Sequence, residues 1–123
     1  MRLSAPIPIL LLPLLLVLGC WRCSNPHGIH ATRERTLRQN LFHLRQSIDQ
    51  YTIDKQQSPQ KLDDLVKAGY LREIPIDPFT RRSDTWIVEK ESVTLAVGTQ
   101  PGITDVRSSS PETGCDGTNY NTW

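Results

Sequence analysis

The clearest pattern in the chain is an apolar stripe that recurs with helical spacing in its first half. Five apolar positions follow one another at steps of four, three, four and three residues, which places them on one face of an α-helix that ends near Asp54. The repeat lasts only two heptads, short of the three or four that indicate a coiled coil. We therefore expect this face to pack on the protein's own sheet. The stripe consists of Leu37, Leu41, Leu44, Ile48 and Tyr51.

A second, shorter helix is predicted after a break at residues 56–59. Ser58 can cap a helix by accepting a main-chain N–H, and Pro59 suits the first helical position because its missing donor would be unpaired there anyway. Gly69 is well placed to end this helix. Its inward face consists of Leu62, Leu65 and Val66.

Two runs of β-forming residues come next, after a segment at 74–78 whose two prolines favour an extended path. Residues 86–89 and 93–97 are rich in β-branched and aromatic side chains, and three residues separate them. This pattern predicts an antiparallel hairpin. The predicted fold class is therefore α+β, with an amphipathic helix and a short second helix packed on a small antiparallel sheet.

The end of the chain combines turn-forming residues with large aromatic ones. Nearly every residue from Gly98 onward favours turns, a composition typical of disordered segments. Tyr120 and Trp123 lie within this tail, and both gain free energy when they are buried. The composition therefore predicts a loop-rich tail with two residues suited to packing.

The first 19 residues have the features of a lipoprotein signal peptide. Arg2 precedes an aliphatic run at residues 7–18, and Gly19 and Cys20 provide the small residue before the cut and the cysteine after it. A membrane span needs about 20 apolar residues, whereas this run has about a dozen and contains two prolines; an uncleaved anchor and ordinary secretory cleavage are the alternatives. The predicted parts are a signal peptide at 1–19, a lipidated tether at 20–32 with Cys20 as the lipidation site, and a globular domain at 33–123.

The length and net charge of the mature chain limit the classes of protein to which it can belong. Cleavage before Cys20 would leave 104 of the 123 residues, enough for one small domain. Removing Arg2 from the 14 basic residues leaves 13, against 13 acidic ones. A neutral chain without a basic stripe does not indicate nucleic-acid binding.

The residues that could carry chemistry do not form a catalytic pattern in the sequence. His27 and His30 have the spacing of a metal pair but lie in the predicted tether, and His43 falls on the surface of the first helix. Asp63 and Asp64 are adjacent, so on a helix they point about 100° apart. The sequence contains no nucleophile with a base beside it and no phosphate loop, so we expect a protein that is not an enzyme.

Two cysteines besides Cys20 are available for pairing. Export would place the chain in an oxidising compartment, where Cys23 and Cys115 can form a disulfide if the fold brings them together. The alternative is two thiols that are free or paired with other molecules.

Several short motifs occur in a recognisable order between residue 33 and the end of the chain. After the long helix come Ser58-Pro59, Gly69-Tyr70-Leu71, Ile74-Pro75-Ile76-Asp77-Pro78-Phe79, Trp86 and an acidic ending, Asp116-Gly117-Thr118-Asn119-Tyr120-Asn121-Thr122-Trp123. This order resembles the soluble domain of the major pseudopilin of bacterial type II secretion, the GspG-like family, over roughly three quarters of the mature chain. The resemblance implies a pilin-like fold.

The resemblance also implies a calcium site that orders the tail. Carboxylate and main-chain oxygens are the ligands that calcium prefers. The implied ligands are Asp105, Asp116 and Asn119, with carbonyl groups near Ser108 completing the shell. Family members usually offer two carboxylates near the end, whereas this chain has one carboxylate and an amide there, which should weaken binding.

The front of the chain departs from the pseudopilin pattern. It has no Gly-Phe cleavage site, no glutamate before Glu34 and no apolar stem that could form a filament core. We therefore expect a pseudopilin-like envelope lipoprotein that is a structural or accessory component of a type II secretion system. Its expected partners are other pseudopilins or secretion-system components, and its lipid anchor would hold it facing the periplasm. The alternative is a free-standing envelope lipoprotein that keeps the fold without a secretion role.

Overall fold

The structure, a computed structural model, describes residues 28–91 and 100–123. It confirms the predicted α+β class, because a long helix and a short one accompany a two-stranded antiparallel sheet. In chain order the elements are helix α1 (Ile29–Lys55), helix α2 (Leu62–Lys67), strand β1 (Ile87–Lys90), strand β2 (Ile103–Arg107) and a 3₁₀ turn (Tyr120–Thr122).

Helix α1 packs its predicted stripe into the core, mainly against β2. The four aliphatic members of the stripe are buried, and Tyr51 packs on the cluster while half-buried. The helix begins at Ile29, so residues 29–32, which the sequence assigned to the tether, belong to the helix. The buried core consists of Leu37, Leu41, Leu44, Ile48, Leu65, Trp86, Ile103, Val106 and Tyr120.

The break between the two helices begins where it was predicted but extends to Lys61, the N-cap of α2, so Ser58 is not its cap and Pro59 is not its first residue. The carboxylate of Asp64 accepts the main-chain N–H groups of Gln60 and Lys61, both at 3.0 Å. Asp64, at the third helical position, therefore binds the main chain that leads into the helix, while Ser58 donates its hydroxyl to Glu91 at 2.6 Å. The prediction failed because α2 begins three residues later than the Ser-Pro pair indicates, and Ser58 instead bonds to Glu91, 33 positions along the chain.

The glycine predicted to end α2 does so. Gly69 follows the last helical residues with φ at 85°, a left-handed conformation in which glycine avoids the strain of a side chain. The N–H of Tyr70 then returns to the carbonyl of Leu65 at 2.9 Å. This closing turn directs the chain into the extended segment that follows.

The sheet pairs strands that the sequence did not pair. Strand β1 lies one residue from the predicted run at 86–89, and it is antiparallel to β2, with Val88 opposite Val106. Strand β2 falls in the segment that was predicted to be a turn-rich tail, so that prediction was wrong for Ile103–Arg107. The predicted second strand at 93–97 lies outside the described residues.

Candidate functional site

The predicted calcium ligands lie on two elements near α1. Asp105 is on β2, while Asp116 and Asn119 belong to a loop that precedes the 3₁₀ turn. That loop closes on itself, because the hydroxyl of Thr113 donates to the side-chain oxygen of Asn119 at 3.1 Å. The hydroxyl and N–H of Thr118 both donate to Asp116, and these bonds lower the pKa of that carboxyl.

Arg45, on α1, occupies the side of Asp105 that faces the helix. Its Nε lies 2.7 Å from Asp105 Oδ1, and its Nη2 donates to the main-chain oxygens of Val106 at 3.1 Å and Trp123 at 2.7 Å. One guanidinium thus joins the helix, the sheet and the end of the described chain. Since Asp105 is already ion-paired, it is not a ready ligand, and a calcium ion here would depend on Asp116, Asn119 and main-chain oxygens.

A second polar cluster fixes the tail to the start of α1. Glu34 Oε1 accepts the hydroxyl of Tyr120 at 2.8 Å and the N–H of Cys115 at 2.8 Å. The Tyr120 hydroxyl also lies 3.0 Å from His30 Nε2. Tyr120 is fully buried, and burial together with the Glu34 hydrogen bond and charge raises its pKa well above the usual value.

Aromatic rings fill the space between these two polar clusters. Tyr120 stacks on Phe79 with ring centroids 3.9 Å apart, and Trp123 meets Tyr120 edge-on at 4.8 Å. The guanidinium of Arg38 lies 4.2 Å from the centroid of the Trp123 ring. Both aromatic residues that the sequence marked as suited to burial therefore order the tail, together with the hydrogen bonds of Arg45.

The aspartate of the Ile-Pro-x-Asp-Pro motif lies at a buried contact between two segments of the chain. Asp77 is fully buried; its Oδ1 accepts the N–H of Phe79 at 2.8 Å, and its Oδ2 accepts the hydroxyl of Ser108 at 2.5 Å. Trp86 donates its indole N–H to the carbonyl of Pro75 at 2.8 Å. The motif therefore joins the extended segment to one end of the sheet, where β1 begins and β2 ends.

Cys115 is disulfide-bonded. The sequence has three cysteines, and the other two, Cys20 and Cys23, precede the described residues. The predictions of a lipidated Cys20 and of pairing by Cys23 therefore fall outside the described part of the chain. The Cys115 thiol is not free, which excludes the alternative of an unpaired Cys115.

Sequence reasoning did not identify Arg45, Glu34 or Asp77 as the polar groups that hold this region. For Arg45 and Glu34, the sequence does contain a pattern that could have indicated this role. Glu34 precedes Leu37 by three residues and Arg45 follows Leu41 by four, so each continues or flanks the apolar stripe. A charged residue at such a position must find a partner when its helix packs, which is what both do.

An open groove of about 830 Å³ lies beside α1, next to the residues that hold the tail. Its lining includes apolar groups and both of the arginines described above. Phe42, which also lines it, is 62% exposed. The residues that line the groove include Arg38, Leu41, Phe42, Arg45, Asp49 and Trp123.

Comparisons with known proteins find no family model, no curated protein and no solved structure that matches this chain. Within residues 28–91 and 100–123, no set of three or more His, Cys, Asp or Glu side chains is placed to share a metal ion. Calcium also takes amide and main-chain oxygens, so calcium binding stays a prediction. The helices in the described part of the chain do not include one that is both long and apolar enough to span a membrane.

Proposed function

We propose that this protein is a pseudopilin-like envelope lipoprotein, a structural or accessory component of a type II secretion (type IV pilus-like) system. Its partners in this role are other pseudopilins or components of the secretion machine. It is held at the envelope through a lipid on Cys20, faces the periplasm, and acts by binding rather than by chemistry.

The observation that carries this proposal is that the motifs on which the resemblance rests lie where one segment of the fold is attached to the next. Gly69 closes α2, Asp77 ties the extended segment to Ser108, and Tyr120 joins the tail to α1. A motif order that coincides with the contacts of a fold is more informative than the motifs alone.

The use of the polar groups also favours a structural role. Glu34, Asp77 and Arg45 each direct their side-chain atoms to partners within the molecule. In the described part of the chain, every buried side-chain nitrogen or oxygen has a hydrogen-bond partner. Groups used in this way stabilise a scaffold, whereas an active site needs groups poised for a substrate.

The test is to delete the gene in the source bacterium and to compare the proteins of the medium, periplasm and cytoplasm by quantitative mass spectrometry. We expect secreted proteins to accumulate in the periplasm, because a missing pseudopilin-like component blocks the last step of their export. Plasmid-borne wild-type protein should restore secretion, and Cys20→Ser, which cannot carry the lipid, should not.

A resident periplasmic protein that is never secreted serves as the control for leakage. An unchanged secretome in the deletion strain would overturn the secretion role and favour the free-standing lipoprotein. Full rescue by Cys20→Ser would overturn the lipid anchor while leaving the secretion role intact.

A further inference from the structure

A second, exposed stripe runs along α1 on a side that the core does not use. Arg38, Phe42, Arg45 and Asp49 follow one another at steps of four, three and four residues, so they lie along one side of the helix. Phe42 is 62% exposed and the Arg38 side chain 61% exposed. Phenylalanine and arginine are both enriched at protein interfaces relative to the rest of the surface.

The groove described above lies against this stripe. The exposed ring of Phe42 lines the groove together with the buried Leu41 and with Trp123. The same face therefore carries both an exposed apolar side chain and a groove of about 830 Å³, partly apolar in its lining, that could receive one.

The charges of the stripe have opposite signs at its two ends. Arg38 lies eleven residues before Asp49, which is about 16 Å along the helix axis. The Asp49 side chain makes no hydrogen bond or ion pair with the described residues, and the Arg38 guanidinium lies 3.9 Å from Asp116. The stripe thus offers an unpaired carboxylate at one end and an exposed guanidinium at the other.

We propose that this face binds a second copy of the chain, with the two α1 helices antiparallel across a two-fold axis. A two-fold interface requires that when residue i contacts residue j of the partner, j also contacts i. An antiparallel register that places Arg38 opposite Asp49 of the second copy also places Phe42 opposite Arg45 of the second copy. Both charge pairs then form at once, and each Phe42 ring reaches the groove of the other copy.

A second copy fits this face better than an unrelated partner does. The stripe contains both halves of each contact: the cation and the anion, the ring and the groove. To bind an unrelated partner, the stripe would need only one member of each contacting pair. Nothing would then require opposite charges at equal distances on either side of Phe42 and Arg45. The dimer does not depend on the proposed secretion role, since it forms between two copies alone.

The test uses the full chain, co-expressed as two copies that carry different affinity tags and extracted in mild detergent. The fraction of one copy that co-purifies with the other is measured, and native mass spectrometry gives the mass of the complex. We expect a dimer for the wild type. Arg38→Glu alone and Asp49→Arg alone should each reduce co-purification about tenfold, because each creates two like-charge contacts in a two-fold interface.

The decisive measurement pairs the two variants with each other. When Arg38→Glu is co-expressed with Asp49→Arg, the mixed dimer has two opposite-charge contacts again, one in the native order and one reversed, and co-purification should return toward the wild-type level. Arg72→Glu and Glu73→Arg, the same charge changes at exposed residues outside α1, serve as matched controls and should have no effect. A photo-reactive phenylalanine at position 42 should cross-link to residues near Arg45 of the second copy.

Three results would overturn the proposal. The first is a wild-type chain that is monomeric by native mass spectrometry. The second is a dimer that the charge reversals do not weaken, or that the mixed pair does not restore. The third is a cross-link from position 42 that leads to a different protein.

Discussion

Arg45 of α1 and Asp105 of β2 form an ion pair of 2.7 Å that fixes the register between the helix and the sheet. The same guanidinium holds the main-chain oxygen of Trp123, so the pair also determines where the tail lies. A planar guanidinium presents several donors in a fixed arrangement, which is why one residue can join three parts of the chain.

Replacing Arg45 with methionine should therefore loosen the tail and destabilise the domain. The change keeps the apolar stem but removes the hydrogen bonds to Asp105, Val106 and Trp123. We expect a loss of about 1–3 kcal/mol in the free energy of unfolding, as for hydrogen bonds to charged groups at partly exposed sites. Urea unfolding followed by circular dichroism measures it. Arg72→Met, at an exposed residue, is the control, and an equal effect of both substitutions would contradict the role of Arg45.

Asp77→Asn tests the buried junction of the Ile-Pro-x-Asp-Pro motif. An amide can replace only one of the acceptor oxygens, so either the Phe79 N–H or the Ser108 hydroxyl faces a donor in place of an acceptor. Leaving a buried polar group unpaired costs about 1–3 kcal/mol, and more where a charge is involved. We expect a lower urea midpoint for Asp77→Asn and little change for Asp63→Asn, an exposed control on α2. Matching midpoints would show that the buried carboxylate is dispensable.

The sequence predicted the helical part of this molecule better than the rest. The core stripe was identifiable because the spacing of five apolar residues within one helix is enough to indicate that they share a buried face. Strand β2 was missed because only Ile103 and Val106 of its five residues are buried apolar side chains, and its stability comes from pairing with β1 and packing on α1. Contacts between residues far apart in the chain leave no local pattern.

The same reason explains what was missed at the candidate site. Tyr120 meets Glu34 across 86 positions, and Arg45 meets Trp123 across 78. Tyr120 and Trp123 could be recognised as residues suited to burial, but their partners could not. Ser58 was misassigned because its partner, Glu91, lies 33 positions away, and the sequence alone does not show that α2 begins only at Leu62.

Tyr120 makes stability depend on pH at the alkaline end. Its pKa is raised in the folded state, above the ordinary value of 10.0, because burial and Glu34 disfavour the phenolate. Below pH 10 the phenol is protonated in both the folded and unfolded states. As the pH rises above 10 the unfolded chain loses this proton first, so stability falls with rising pH.

Unfolding measurements between pH 8 and about pH 11 test this dependence. Tyr120→Phe should remove part of the alkaline loss, although it also costs the hydrogen bond to Glu34 at all pH values. Tyr51→Phe, at a half-buried position on α1, is the control. A wild-type slope that Tyr120→Phe does not reduce would contradict the assignment to Tyr120.

The disulfide of Cys115 gives a prediction that links the fold to the lipid anchor. A sulfur that carries a lipid cannot also form a disulfide, so lipidation of Cys20 requires Cys23 to be the partner of Cys115. Digestion without reduction should therefore release a linked peptide that contains Cys23 and Cys115, and the peptide that begins at Cys20 should have the added mass of the lipid. A Cys20–Cys115 linkage would instead rule out a lipid on Cys20.

Calcium binding is the last prediction, and the structure limits the side chains that could serve as its ligands. Arg45 already pairs with Asp105, so the calcium predicted from the resemblance would bind through Asp116, Asn119 and main-chain oxygens of the same loop. One carboxylate supports only weak binding, of the order of 10⁻⁴ to 10⁻³ M as in extracellular modules. We expect millimolar calcium to raise the melting temperature relative to chelator, since an ion that binds only the folded state stabilises it. Asp116→Asn should abolish that increase, whereas Asp63→Asn should keep it. Identical melting temperatures of the wild type in calcium and in chelator would mean that the tail is ordered by Arg45 and the aromatic stack without a metal ion.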